Sequence, residues 1–153
     1  MGAIQQAALA RGYTLGQIKK ANEDAWDTQP EGFSNTIRWN VGHIYVSTEE
    51  FLSQALDQYE PSHGDWFSFF KSGSSPSTWQ DTPPSAEDLV VALKEQGKRI
   101  PQVVEGQLDR VLESPISIGK LLTMNTVDEV LQFIAWHEGI HAGVIDGLAR
   151  ITK

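Results

Sequence analysis

Residues 127–150 constrain the fold more than any other stretch, because they read as one long helix whose apolar stripe carries two histidines. Val130, Phe133, Ile134, His137, His141, Val144 and Leu148 recur at the spacing of a single helical face. A ring nitrogen on such a face is cut off from water and needs a polar partner. His137 and His141 stand four residues apart, one turn above the other. One ion can therefore serve both, at about 2.0–2.1 Å from each nitrogen if it is zinc. Protonating both would crowd like charges in a low dielectric, so neutral, ligating imidazoles are favoured. This face predicts an inward direction, toward the bundle axis, and a third ligand from another element.

The rest of the chain supplies three more helical segments and one long loop. The first segment is predicted from about Ala3 to Asp27, with the stripe Ile4, Ala8, Leu15, Ile18 and Ala25; Gly12 and Gly16 allow a bend, and Pro30 and Gly32 end it. The second starts at a Ser34 or Asn35 cap and runs to Tyr59, before Pro61, with Ile37, Val41, Ile44, Thr48, Phe51, Leu52 and Ala55 inside. His43 lies on it and is the third ligand candidate. Gly42 beside it leaves room for close helix approach, and Trp39, Val46 and Glu50 share its face. Three histidines leave coordination positions open, the pattern of a catalytic rather than a structural site.

Residues 60–85 turn to Ser, Gly and Pro with Trp66, Phe67, Phe69, Phe70 and Trp79. Such long loops are often lids or binding elements; packing is the plainer role for these aromatics, and His63 reads as an exposed loop residue. Ser85 caps the third long helix with Asp88 at the capping-box position, and Leu89, Leu93, Ile100, Val104 and Leu108 follow at helical spacing. Pro101 is expected to kink that helix or begin a new turn. Residues 113–125 read as an extended connection or a short hairpin around Gly119, and Asn125 or Thr126 caps the last helix. The fold class is therefore all-α: one domain over residues 1–153, a four-helix bundle with a long crossover loop between its second and third helices.

Composition narrows the function. Of 153 residues, 40 % are hydrophobic, enough for a real core, and the net charge of −8 argues against nucleic acid and anionic membranes as partners. There is no cysteine, which removes disulfides, thiolate sites and cysteine nucleophiles. No signal peptide or membrane helix is legible, so a cytoplasmic location is expected.

His137-Glu138-Gly139-Ile140-His141 also matches the H-E-x-x-H pattern of zinc peptidases, with the glutamate as general base. The metzincin extension would need Gly at position 144 and His at 147; Val144 and Gly147 stand there, and no His, Glu or Cys follows His141. Glu138 is about 100° away from the metal-facing direction of the helix. A salt bridge or hydrogen bond toward the first or third helix is the expected role for it.

Several motifs together resemble the DinB-like superfamily. Asn35-Thr36-Ile37-Arg38-Trp39-Asn40-Val41-Gly42-His43-Ile44 is similar to its second-helix signature, and Phe133–Arg150, with H-x-x-x-H and Leu148-Ala149-Arg150, to its last-helix signature. Residues 67–85, with Gly73, Pro76, Trp79 and Pro84, resemble its crossover loop. The resemblance implies metal ligands at His43, His137 and His141, an up-up-down-down type of connection, and often a homodimer. It also implies relatives that transfer low-molecular-weight thiols such as bacillithiol or mycothiol, and a maleylpyruvate isomerase. Many members carry H-x-G-Q after the last ligand; this chain has Val144 in place of that glutamine, one polar group fewer near the site.

The expectation is a metal-dependent enzyme for small molecules, a thiol S-transferase or a hydrolase with a possible low-molecular-weight thiol cosubstrate; no catalytic residue is assigned. Zinc or nickel is the leading ion, with iron or copper also compatible with three imidazoles. Trp39, Val46, Glu50 and Trp66 are expected to line the substrate pocket. The alternative is a non-catalytic, metal-binding, stress-related interaction module.

Overall fold

The computed structural model describes residues 2–153. Four long helices form the bundle: α1 (Ala3–Lys20), α2 (Ile37–Ala55), α4 (Ala86–Val104) and α5 (Val127–Ile151). A single-turn helix, α3 (Phe67–Phe70), lies in the crossover, and an antiparallel hairpin, β1 (Val111–Ile118) with β2 (Leu122–Thr126), precedes α5. Among the described residues, no helix is long and apolar enough to cross a membrane.

Local chemistry sets the helix starts. Thr36, Ser85 and Thr126 each accept a backbone N–H of the first turn, and Thr126 closes a full capping box with Glu129. The cap of α2 is thus Thr36, not Ser34 or Asn35, and α2 ends at Ala55, four residues short of Tyr59. The first helix stops at Lys20, and residues 23–25 make a separate 3-10 turn capped by Asn22. Pro101 does not break α4. It sits in the last turn, so the hydrogen bond it forfeits is near the frayed end, and the helix continues to Val104. The hairpin turns at Gly119, whose φ of +53° suits a residue without Cβ. Leu112, Ile116 and Met124 face inward and close one end of the bundle.

Two apolar clusters reveal the helix directions. Ala3 and Ala7 of α1 pack with Leu52, Ala55, Ile100, Val104 and residues 127–135 at one end. Ile18 packs with Ile37, Val41, Leu89, Leu93, Ile145 and Leu148 at the other. The start of α1 therefore lies beside the start of α5, but beside the ends of α2 and α4. The order is up, down, down, up rather than up, up, down, down. Parallel neighbours α2 and α4 cannot be joined by a tight turn, which is why the chain between them must travel the length of the bundle.

The face of α1 that enters the bundle is more polar than its apolar spacing predicts. Ala8 is exposed and Ile4 and Leu15 are half-buried, while Arg11, Thr14 and Gln17 are buried. The reason is a polar network that touches every long helix. Arg11 of α1 donates Nε to Glu138 Oε1 of α5 at 2.7 Å and Nη2 to Glu138 Oε2 at 3.1 Å. It also donates to the Leu93 carbonyl and to Gln96 Oε1 of α4. Gln96 Nε2 donates to the Tyr45 carbonyl of α2, and Thr14 donates to Glu138. Buried polar groups of this kind are tolerable because every one is satisfied.

Candidate metal centre

His43 from α2 meets His137 and His141 from α5, with one nitrogen from each ring lying within 4.8 Å of the others. His43 Nε2 is 3.2 Å from His137 Nε2. Two nitrogens bound at about 2.0–2.1 Å to one tetrahedral zinc would stand roughly 3.3 Å apart. The donor set and its spacing thus fit a divalent ion, and these three residues could hold one.

Protons on the far nitrogens are fixed by partners outside the cluster. The Phe70 carbonyl can only accept, so His43 donates Nδ1–H to it at 2.7 Å and keeps a lone pair on Nε2. Asn40 donates Nδ2 to the Thr36 carbonyl at 2.8 Å and to Asn35 Oδ1 at 2.7 Å. Its Oδ1 is thereby left to accept from His141 Nδ1 at 2.9 Å. Both rings have the tautomer and orientation that a metal ligand needs, held by a carbonyl and a carboxamide.

Aromatic rings wall the cluster. Trp39 stacks on His43 with centroids 4.5 Å apart and donates Nε1 to Ser74 of the crossover. Phe133 stacks on His137, and Phe51 meets it edge-on. Burial lowers the pKa of His43 despite the opposing Phe70 carbonyl. Burial, with His43 beside it, lowers His137 to about 4; burial, with both other histidines, lowers His141 to about 3. The three imidazoles are consequently neutral near pH 7, so an incoming cation need not displace protons.

The sequence placed the two α5 histidines on the innermost face, and here the structure differs. His137 and His141 are half-buried, whereas Glu138 is 2 % exposed. Glu138 points toward α1, and the histidines face the seam between α5 and α2. Apolar residues on both sides made the stripe ambiguous: Ala135, Ala142 and Ile145 share the buried side with Glu138. Both Glu138 oxygens accept from Arg11, which is the role toward the first helix expected of it.

Gly42 does not serve an approach between two of the long helices. A Cβ there would lie 2.4 Å from the Phe70 ring, so the missing side chain admits the crossover segment onto α2. Phe70 is fully buried and its carbonyl is the one that orients His43. The sequence gives no sign of the roles of Asn40 and Ser74, and Phe70, expected to pack as a loop aromatic, also supplies the carbonyl for His43. Asn40 sat inside the α2 motif three residues before His43, but its amide role depends on a contact with α5.

Of the expected pocket residues, Trp39 lies against the histidines. Val46 and the exposed Glu50 border a cleft of about 270 Å³ between α2 and the crossover, with Ser53, His63 and Phe67. Trp66 stacks on His63 at 3.8 Å and packs on Tyr45. The buried carboxylate on this part of α2 is Glu49, 3 % exposed, which accepts from Tyr45, Tyr59 and Arg99 and ties α2 to α4. Burial foremost, and Glu49 next, push the Tyr45 phenol up to about 12.

A family model described as the DinB superfamily matches residues 6–145. No curated protein matches the chain.

Proposed function

The chain belongs to the DinB superfamily, and on that premise we propose that it is a metal-dependent enzyme acting on small molecules, a thiol S-transferase or a hydrolase. The observation that carries the reading is the convergence of three neutral imidazoles, two of which, His43 and His141, have their far nitrogens already occupied by Phe70 and Asn40. A divalent ion, zinc or nickel first, would supply Lewis acidity there, lowering the pKa of a thiol or water.

The protein's own groups do the rest. His43, His137 and His141 present neutral donors and leave room for further ligands. Trp39, Phe51 and Phe133 pack on the rings of His43 and His137 and give that side of the site an apolar wall. Glu138 is held in its ion pair with Arg11 and is not the base that a peptidase would need. Val46 and Glu50 lie one and two turns along α2 from His43, and the cleft they border is where a small substrate would be received.

Elemental analysis of untagged protein, followed by a thiol titration of its cobalt-substituted form, tests this. Near-stoichiometric metal that is lost in His141→Ala with the helical spectrum retained is expected, together with a thiol-dependent change in the cobalt absorption. Metal that persists in His141→Ala overturns the ligand assignment. A cobalt spectrum indifferent to thiol and to substrate analogues overturns the enzyme reading in favour of a non-catalytic module.

A further inference from the structure

We propose a second ligand site, remote in composition from the histidines: the groove between α1 and α4 binds a medium-chain fatty carboxylate. The groove holds about 340 Å³, at the small end of the roughly 300–1,000 Å³ typical of ligand pockets. Its walls are Ile4, Ala8 and Leu15 of α1 and Ile100 and Pro101 of α4. Its floor is the alkyl stem of Arg11, which passes 3.2 Å from where a Cβ on Gly97 would be. That stem is rigid, because its guanidinium is fixed by Glu138, Gln96 and the Leu93 carbonyl. Gly12 lies on the other side, with nothing within 4 Å of a Cβ built on it. The two glycines therefore leave a trench where ordinary helix packing would place side chains.

Charge decides what fits the trench. Lys94 and Lys98, one turn apart and exposed, stand at its rim. Neither takes part in an ion pair among the described residues. In a chain with 20 acidic residues, α1 contains none; among the described residues no carboxylate lines the groove, and Glu138, which holds the Arg11 guanidinium, is spent on that pair. An apolar trench with a pair of free ammonium groups at one rim is complementary to an apolar chain ending in an anion. The volume suits a short or medium chain rather than a whole lipid.

Calorimetric titration with decanoate, below its micelle concentration, tests the site. One equivalent is expected to bind, with at least tenfold weaker binding to Lys94→Ala/Lys98→Ala and to decanol, which keeps the chain and drops the charge. Gly12→Leu, which fills the trench from its open side, is expected to abolish binding while the helical spectrum and the metal content stay unchanged. Absence of decanoate binding to the unaltered protein overturns the proposal. So does binding indifferent to both variants, and so does a dimer that Gly12→Leu converts to monomer, since a second copy would then be the occupant. The lysine pair is solvent-exposed and keeps the test valid if Gly12→Leu misfolds.

Discussion

Replacing Glu138 by Gln separates a structural glutamate from a catalytic one by magnitude. The carboxylate is 2 % exposed and its partner Arg11 is 5 % exposed. Removing the negative charge leaves the Arg11 guanidinium buried with only neutral acceptors, the Leu93 carbonyl and Gln96 Oε1. Breaking a buried pair from one side costs about 3–5 kcal/mol. Gln keeps the shape and one acceptor oxygen, so the lower end, about 3 kcal/mol, is expected. For a domain of this size that is roughly a 6–12 °C fall in Tm, out of a total stability of about 5–15 kcal/mol. Urea unfolding followed by circular dichroism should show a lowered midpoint at unchanged slope. The double variant Arg11→Met/Glu138→Leu should recover much of the loss, because no charge is then stranded. A general base would behave differently: about 10²–10⁴-fold loss of turnover with stability intact. If Glu138→Gln unfolds within 0.5 kcal/mol of the parent, the reasoning that the ion pair closes the bundle core is refuted.

Asn40→Ala removes the acceptor for His141 Nδ1 and should weaken metal affinity about 10–100-fold, read by competition with a chromophoric chelator; unchanged affinity would show that Asn40 does not orient the ring. Gly42→Ala drives a methyl group into the Phe70 ring and should cost about 1–3 kcal/mol, with a matching loss of metal affinity as His43 loses its carbonyl partner; a crystal structure with Phe70 unmoved would contradict this. In metal-free protein, His137 and His141 are harder to protonate folded than unfolded. Their contribution is therefore complete above about pH 6.5 and is lost as pH falls toward about 4 and about 3. The urea midpoint measured against pH should fall across that window, and His137→Ala/His141→Ala should flatten the curve.

The parts of the fold carried by local chemistry were legible. Ser85 and Thr126 announce helix starts through side chains that reach only three residues ahead, and Gly119 marks the hairpin. The spacing of His137 and His141 places two rings on one side of a helix whatever surrounds it. Groups whose role depends on a distant partner were not legible. Arg11 and Thr14 fall outside the apolar spacing of the first segment, and only Glu138, far along the chain, gives them an acceptor. The Phe70 carbonyl has no side-chain signature at all. Glu49 and Glu50 are indistinguishable as adjacent acids, and only the packing of Tyr45, Tyr59 and Arg99 decides that the first is enclosed and the second is solvated.

The ring of Phe70 resting on the bare backbone of Gly42 bears on how relatives of this chain diverge. Insertions and deletions in the crossover change nothing at His43 so long as an aromatic residue still arrives over that glycine with its carbonyl turned inward. Loop length is thus free to drift on either side of residue 70, while positions 42 and 70 drift together. A lineage that acquires alanine at 42 should carry a smaller residue at 70, and one that loses the aromatic should recruit another acceptor for His43 Nδ1. In a family alignment, that paired substitution should stand out as a correlated change between positions 42 and 70.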